Sequence, residues 1–411
     1  ERSTVPLEAE TRPLEEALGR VSASGVTSDL ALPPFAQSAM DGWAVRSADL
    51  QEATEEAPVQ LEIVGEVPAG RVEELPTVEA GQAARIYTGA TVPDGADAVV
   101  RQERAERQGE RVVISRTVPE GKDIRPVGEE LEAGRRLLEP GERLDERHLA
   151  ALSMTGHPEV RVRPAPEIAL LVSGDEVVAP TEPLHPGEIY DANTPFVSGL
   201  LGRTGYRSVD ILHIKDEPDH VRRELDEALT GYDLVVSTGG VSVGDYDFLP
   251  RTAEELGAEE VFWKISQKPG KPVFFAVRDQ TPFLGLPGNP GAVFVGAHLY
   301  LNRLLDALEG VAEPRPDFRT GRLAGPVDRS SSRLRWAGCR VSYSPEGTVD
   351  LDPIGRGTAH RMSQLYRADA LARIDAGDGE AKAGRRVEWL PVGGCWARTA
   401  HFAAETQRAQ R

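Results

Sequence analysis

Between Leu170 and Pro290, three apolar runs each end in a glycine turn that carries polar residues. They are Leu170-Leu-Val-Ser-Gly-Asp-Glu176, Leu234-Val-Val-Ser-Thr-Gly-Gly-Val-Ser-Val-Gly-Asp-Tyr-Asp247 and Phe283-Leu-Gly-Leu-Pro-Gly-Asn-Pro290. A buried strand running into a glycine turn ahead of a helix is how α/β proteins build small-molecule sites at the carboxyl ends of their strands. Three such turns so close together predict one ligand site assembled from several loops. The surrounding pattern alternates. Strands are predicted at 168–172, 209–214, 234–237, 273–277 and 282–286. Helices are predicted from Thr194-Pro195 to Gly205, over 218–229 and 248–256, and from Pro290 to about Gly310. Such alternation predicts a parallel sheet with helices on both faces.

That unit fills only part of the 411 residues, a length that predicts two to four domains. Pro13 to Val21 reads as a short helix with Leu14, Ala17, Leu18 and Val21 on one face. Residues 33–132 carry short apolar runs between Gly, Pro and acidic residues, and read as a small β-rich module. Glu313-Pro-Arg-Pro316 reads as a linker. The segments around Gly338, Ala370 and Arg386 beyond it suggest a small β-barrel. Residues 393–411 lack periodicity and read as a loose tail.

The formal net charge of −19 disfavours non-specific binding to nucleic acid or to an anionic membrane surface. Local basic clusters, Lys264 to Lys271 and Arg329 to Arg340, still allow a positive pocket for a small anion. Two cysteines, Cys339 and Cys395, make neither a disulfide framework nor a complete zinc site, so a reducing, cytoplasmic setting is expected. No apolar run approaches the roughly 20 residues of a membrane span, and no signal peptide is legible. A sequence that opens on Glu1 rather than Met leads us to expect native residues upstream.

Taken singly, Met40-Asp41-Gly42 and Thr88-Gly-Ala90 are turn-like. The functional reading of the first is a fixed carboxylate at the edge of a module. The segment 121–130 reads as a solvated loop in which Arg125 could instead grip a phosphate. Glycine turns such as Ser173-Gly-Asp-Glu176 and the one containing Gly239, Gly240 and Ser242 present backbone N–H groups to oxyanions, or serve only as strand-to-helix turns. Lys264, Lys268 and Lys271 flank Pro269-Gly270 at a spacing that does not force them onto one face. Asn289 is expected to cap the helix begun by Pro290 and to leave its first N–H groups free for an anion. The eight histidines show no metal-ligand spacing, and no nucleophile–histidine triad is legible.

Together these motifs resemble the MoeA family of molybdopterin molybdenumtransferases, relatives of the gephyrin E domain. The resemblance covers residues 5–390. It rests on Ser38-Ala-Met-Asp-Gly-Trp-Ala-Val-Arg46, Thr88-Gly-Ala90, Ile124-Arg125 with Gly128-Glu129, Ser173-Gly-Asp-Glu176, Ile189-Tyr-Asp-Ala-Asn193, the 239–247 turn, Lys268-Pro-Gly-Lys271 and Leu286-Pro-Gly-Asn-Pro290. Glu130 stands where Asp is common, Asp123 where Asn is frequent, and Gly291-Ala292 where a Val-Ser pair occurs.

The resemblance implies a multidomain α/β fold. Residues 1–32 and 133–165 would form an elongated linker domain, and 33–132 an inserted β-rich domain. Residues 166–311 would form a parallel-sheet α/β domain like a molybdopterin adenylyltransferase, and 312–390 a C-terminal β-barrel, followed by the tail 391–411. It also implies a homodimer with a site shared between subunits. The implied reaction inserts molybdate into the dithiolene of adenylylated molybdopterin, with Mg2+ and release of AMP. The implied catalytic residues are Asp41, Thr88, Glu176 and Asp247, with Glu176, Asp216 and Asp247 on the metal. Arg125, Ser173, Gly239, Gly240, Ser242, Lys264, Lys268, Lys271, Pro287, Pro290 and Arg333 would bind the anionic substrates. A transient contact with a molybdopterin adenylyltransferase is implied as well. Two other readings compete. An adenylyltransferase shares only the α/β domain, and the 165 residues before it argue against that. A gephyrin-like scaffold would be favoured by loss of the catalytic acids, which are present.

Overall fold

The structure is a computed structural model that describes residues 4–70, 73–203, 205–206, 209–242, 248–314, 316–355 and 361–393. The alternating region forms a six-stranded sheet in the order 209–214, 168–173, 234–238, 281–286, 274–278, 259–263. All six residues of Ile168–Ser173 are buried, as expected of a strand covered on both faces. The period of two divides them. Ile168, Leu170 and Val172 pack with Val197, Leu201, Val293 and Leu301 in one core, whereas Ala169 and Leu171 pack with Val221, Leu225 and Leu249 in another. Helices therefore lie on both faces: Asn193–Arg203 and the segment from Pro290 on one, Pro218–Gly231 and Leu249–Glu255 on the other.

The sheet corrects the expectation of a purely parallel one. Its first four strands are parallel. Phe274–Arg278 runs antiparallel to both of its neighbours, 281–286 and 259–263, and only Asp279 and Gln280 separate it from Thr281–Leu286. A two-residue turn makes a hairpin and leaves no room for a crossover helix. The edge strand Glu259–Trp263 was not anticipated, and its first three residues are exposed. The helix opened by Pro290 runs as an α-helix to Gly296, a π-helical turn over Ala297–Leu301, and an α-helix over Asn302–Leu308.

Residues 33–132 contribute a second six-stranded sheet, ordered 98–101, 42–45, 82–86, 59–67, 111–114, 105–108. Its core holds Trp43, Val45, Leu61, Val100, Val112 and Ile114. The chain before and after this module folds together, since Glu10–Pro13 and Val21–Ser22 both pair with Glu159–Arg163. The helix expected over Pro13–Val21 is reduced to a three-residue 3-10 turn, Leu14–Glu16. Gly19 has φ +77°, Leu18 is exposed, and Val21 enters a strand, so the apolar spacing serves two different elements. Arg143 links this layer to the α/β unit through Asp306 and the buried Glu309, both at 2.7 Å, and the Tyr206 hydroxyl donates to Glu309 at 2.6 Å.

The C-terminal strands 319–323, 334–343, 349–353, 370–374 and 386–391 close on one another into a five-stranded barrel around Leu323, Cys339, Leu351, Ala372 and Trp389. Among the described residues no helix is long and apolar enough to cross a membrane.

Candidate functional site

Four parallel strands end side by side, and the loops that leave them line a cavity of about 610 Å3. Ser173, Gly174 and Glu176 follow the first strand, Asp216 follows 209–214, Thr238, Gly239 and Gly240 end the third, and Gly288, Asn289 and Pro290 follow the fourth. The glycines are needed sterically. Gly239 and Gly240 have φ +98° and +68°. A Cβ on Gly239 would stand 2.8 Å from Ser173 Oγ, and one on Gly240 would stand 2.8 Å from Leu249 Cδ1. The Gly239 N–H donates to Leu286 O at 2.9 Å, so the turn is tied to the neighbouring loop.

Six of the expected residues therefore come together: Ser173, Glu176, Asp216, Gly239, Gly240 and Pro290. Ser242 is exposed in the same turn and Pro287 is buried beside it, and neither lines the cavity. Asp247 lies outside the described residues. The anion seat expected on the helix from Pro290 is not formed. Asn289 does cap the helix, accepting from Gly291 N–H at 3.0 Å. The Ala292 and Val293 N–H groups both donate to the Asn289 carbonyl, so the first turn consumes its own donors.

Tyr190, Asp191, Asn193 and Thr238 also line the cavity and were not assigned roles from the sequence. Asp191 Oδ1 accepts from Asn193 and Thr194 N–H and caps the helix there. Asn193 Nδ2 donates to Gly288 O at 2.9 Å, while its Oδ1 and the Thr238 hydroxyl are buried without a hydrogen-bond partner. Asp191, two residues ahead of Asn193-Thr-Pro195, is a legible cap signal, whereas nothing local marks Thr238.

None of Lys264, Lys268, Lys271 and Arg333 lines the cavity. The Trp263 indole N–H donates to Val241 O at 3.0 Å and so braces the glycine turn. Lys264, at φ +64°, lays its ammonium 3.7 Å from the centre of the Trp263 ring. Lys268 and Arg333 are half-buried, and Lys271 is exposed.

The remaining expected residues lie on the rim of the β-rich module. Ile124–Arg125 pairs with Gln37–Ser38, the Gly89 N–H donates to Ser38 O, and the Ala39 N–H donates to Asp123 O, so three separated motifs meet at one edge. Asp41 Oδ1 accepts from both the N–H and the hydroxyl of Thr88 at 2.8 Å. These two bonds, backbone first, hold the Asp41 carboxyl below its ordinary range, with Arg85 nearby adding to the effect. Asp41, Thr88 and Arg125 are not among the cavity-lining residues.

Among the described residues no three Asp, Glu, His or Cys side chains gather as a metal cluster. Of the three expected metal ligands, Glu176 and Asp216 share the cavity, and Asp247 lies outside the described residues. That pair still fits Mg2+, which binds through one or two carboxylates, substrate phosphate oxygens and retained waters.

The models of three family regions match this chain in order. They are the MoeA N-terminal region (domain I and II) over residues 1–156, a probable molybdopterin binding domain over 169–307, and the MoeA C-terminal region (domain IV) over 320–392. The chain belongs to the MoeA family. A molybdopterin molybdenumtransferase from Nostoc sp. is 37% identical over 382 residues, covering 90% of this chain and 86% of that protein. One from Bacillus subtilis is 32% identical over 391 residues, covering 94% and 90%. A crystal structure of the molybdopterin biosynthesis MoeA protein from Pyrococcus horikosii superposes with a TM-score of 0.81 at 29% identity, covering 96% of this chain and 97% of that one. The MoeA architecture of this chain thus extends from the inserted module to the barrel.

Proposed function

We propose that this chain is a molybdopterin molybdenumtransferase of molybdenum cofactor biosynthesis, which inserts molybdate into the dithiolene of adenylylated molybdopterin and releases AMP. The observation that supports it most is the convergence of Ser173, Glu176, Asp216, Gly239 and Gly240 on one cavity in a chain of this family. A nucleotide-bearing pterin and molybdate are both anions, and the lysine loop beside the glycine turn supplies positive charge to an otherwise acidic chain. Glu176 and Asp216 would hold Mg2+, which when bound polarises the phosphoanhydride. Asn193 and Thr238 offer buried polar atoms to the substrate.

The rim group Asp41, ionised and fixed by Thr88, completes the site from a second copy of the chain. Its absence from the cavity lining supports a homodimer with shared sites. A transient contact with a molybdopterin adenylyltransferase would deliver the substrate. The buried, unpaired Cys339 thiol suits a reducing, cytoplasmic setting.

The test is nucleotide turnover. Purified protein given adenylylated molybdopterin, Mg2+ and molybdate should release AMP without ATP. Consumption of ATP with adenylylation of free molybdopterin would point to an adenylyltransferase instead.

A further inference from the structure

We infer that Gln267 is a positioning residue that clasps the lysine loop to the helix opened by Pro290, and so fixes Lys268, one of the expected anion-binding cations, against the barrel strand that follows Arg333. This rests on the reading of the lysine loop as anion-binding. Gln267 is only 4% exposed, an unusual place for an amide with no charge to satisfy. Its Oε1 accepts from the Tyr300 hydroxyl at 2.6 Å. Its Nε2 lies toward the Gly270 carbonyl at a long 3.5 Å, and so close to Gly270 that a Cβ there would stand 2.8 Å from it.

Tyr300 belongs to the π-helical turn of the helix whose first residue, Pro290, lines the cavity. One buried side chain thus joins that helix to the turn between Lys268 and Lys271. The backbone carries the clasp onward. Gln267 and Lys268 pair in parallel with Leu334 and Arg335 of the barrel. Ser266 Oγ donates to Ser332 O at 3.0 Å, and Leu334 N–H donates to Ser266 O at 3.1 Å. Arg333 is held between those two anchored residues. Its position relative to Lys268 is therefore set by a short strand whose only buried polar side chain is Gln267.

A cation on a loop binds an oxyanion well only if its position is preorganised, because ordering it on binding lowers affinity. Gln267→Met keeps the volume and removes the amide. Tyr300→Phe removes one bond and keeps the ring. The full-length variants would be titrated calorimetrically with molybdate alone and, separately, with AMP alone, beside Lys268→Ala. We expect Gln267→Met to weaken molybdate about tenfold, the scale of one or two buried hydrogen bonds, with Tyr300→Phe a smaller step in the same direction. AMP affinity should stay at the wild-type value, and in turnover the KM for molybdate should rise while kcat holds.

Wild-type molybdate affinity in folded Gln267→Met, with Lys268→Ala weakened, overturns the clasp and leaves the lysine loop in place. Loss of AMP and molybdate affinity together also overturns it, because that is general unfolding of the site. If Gln267→Met does not fold, wild-type molybdate affinity in Tyr300→Phe overturns the clasp by itself. Wild-type affinity in Lys268→Ala removes the anion-binding reading beneath it.

Discussion

In the α/β unit, polar side chains stand at the ends of four parallel strands around open space, and Asn193 Oδ1 and Thr238 Oγ1 are left unpartnered. On the rim of the β-rich module the reverse holds. Asp41 sits on the surface and is already gripped by two donors from Thr88. The cavity offers room and unmet hydrogen-bonding capacity, and the rim offers one charge in a fixed place. A preorganised charge suits a developing positive centre or a proton in transit, and unmet capacity suits a substrate held nearby.

The largest effect should come from the rim charge. Asp41→Asn keeps the size and the Thr88 bonds in reach but removes the charge, and should slow AMP release by about 100- to 10,000-fold, the range of a lost acid–base group. Thermal unfolding of the variant should stay close to wild type. A folded Asp41→Asn protein with full turnover would erase the functional half of the contrast.

Backbone geometry should separate the two regions next. Gly239→Ala puts a Cβ 2.8 Å from Ser173 Oγ at φ +98°, so strain and a clash add, and a loss of roughly 3 kcal/mol is expected in chemical denaturation. Gly89→Ala on the rim meets nothing within 4 Å at φ +83° and should lose only about 1 kcal/mol. Equal losses would mean that the cavity turn is not sterically locked.

The pH response sharpens the rim. The folded carboxyl of Asp41 titrates below its ordinary value, so what its bonds contribute is present above the ordinary carboxylate range and disappears as pH falls through the lowered value. Thr88→Val removes the hydroxyl donor and should move the acid limb of the pH–rate profile upward. An unmoved limb would show that the Thr88 hydroxyl does not set it. Smallest of all, Lys271→Ala should change molybdate affinity less than Lys268→Ala in calorimetric titration, because Lys271 is exposed and Lys268 half-buried. A larger loss at Lys271 would reverse the assignment within the loop.

What was legible in the sequence follows burial. Ile168–Ser173 and Leu234–Thr238 are buried along their whole length, so they stand out as apolar runs between turns. Glu259–Trp263 is an exposed edge and left no such run. The antiparallel end of the sheet was encoded only in the two-residue gap after Arg278, a turn signal outweighed by the strand–helix rhythm around it. In the site, glycine turns announced Gly239 and Gly240, while Thr238 gave no sign because a strand-end threonine is common. Asp41 and Thr88 each read as turn residues. Their mutual bond spans 47 positions and depends on the sheet that pairs Gly42–Val45 with Gln82–Ile86.

The most direct measurement of a shared site is AMP release by purified, differently tagged heterodimers of Asp41→Asn and Glu176→Gln chains. Each homodimer should be nearly inactive. If the cavity of one chain uses the rim of the other, one of two symmetry-related sites in the heterodimer is intact, and about half of the wild-type rate per dimer should return. Heterodimers as inactive as both parents would contradict the account and place the whole site within a single chain.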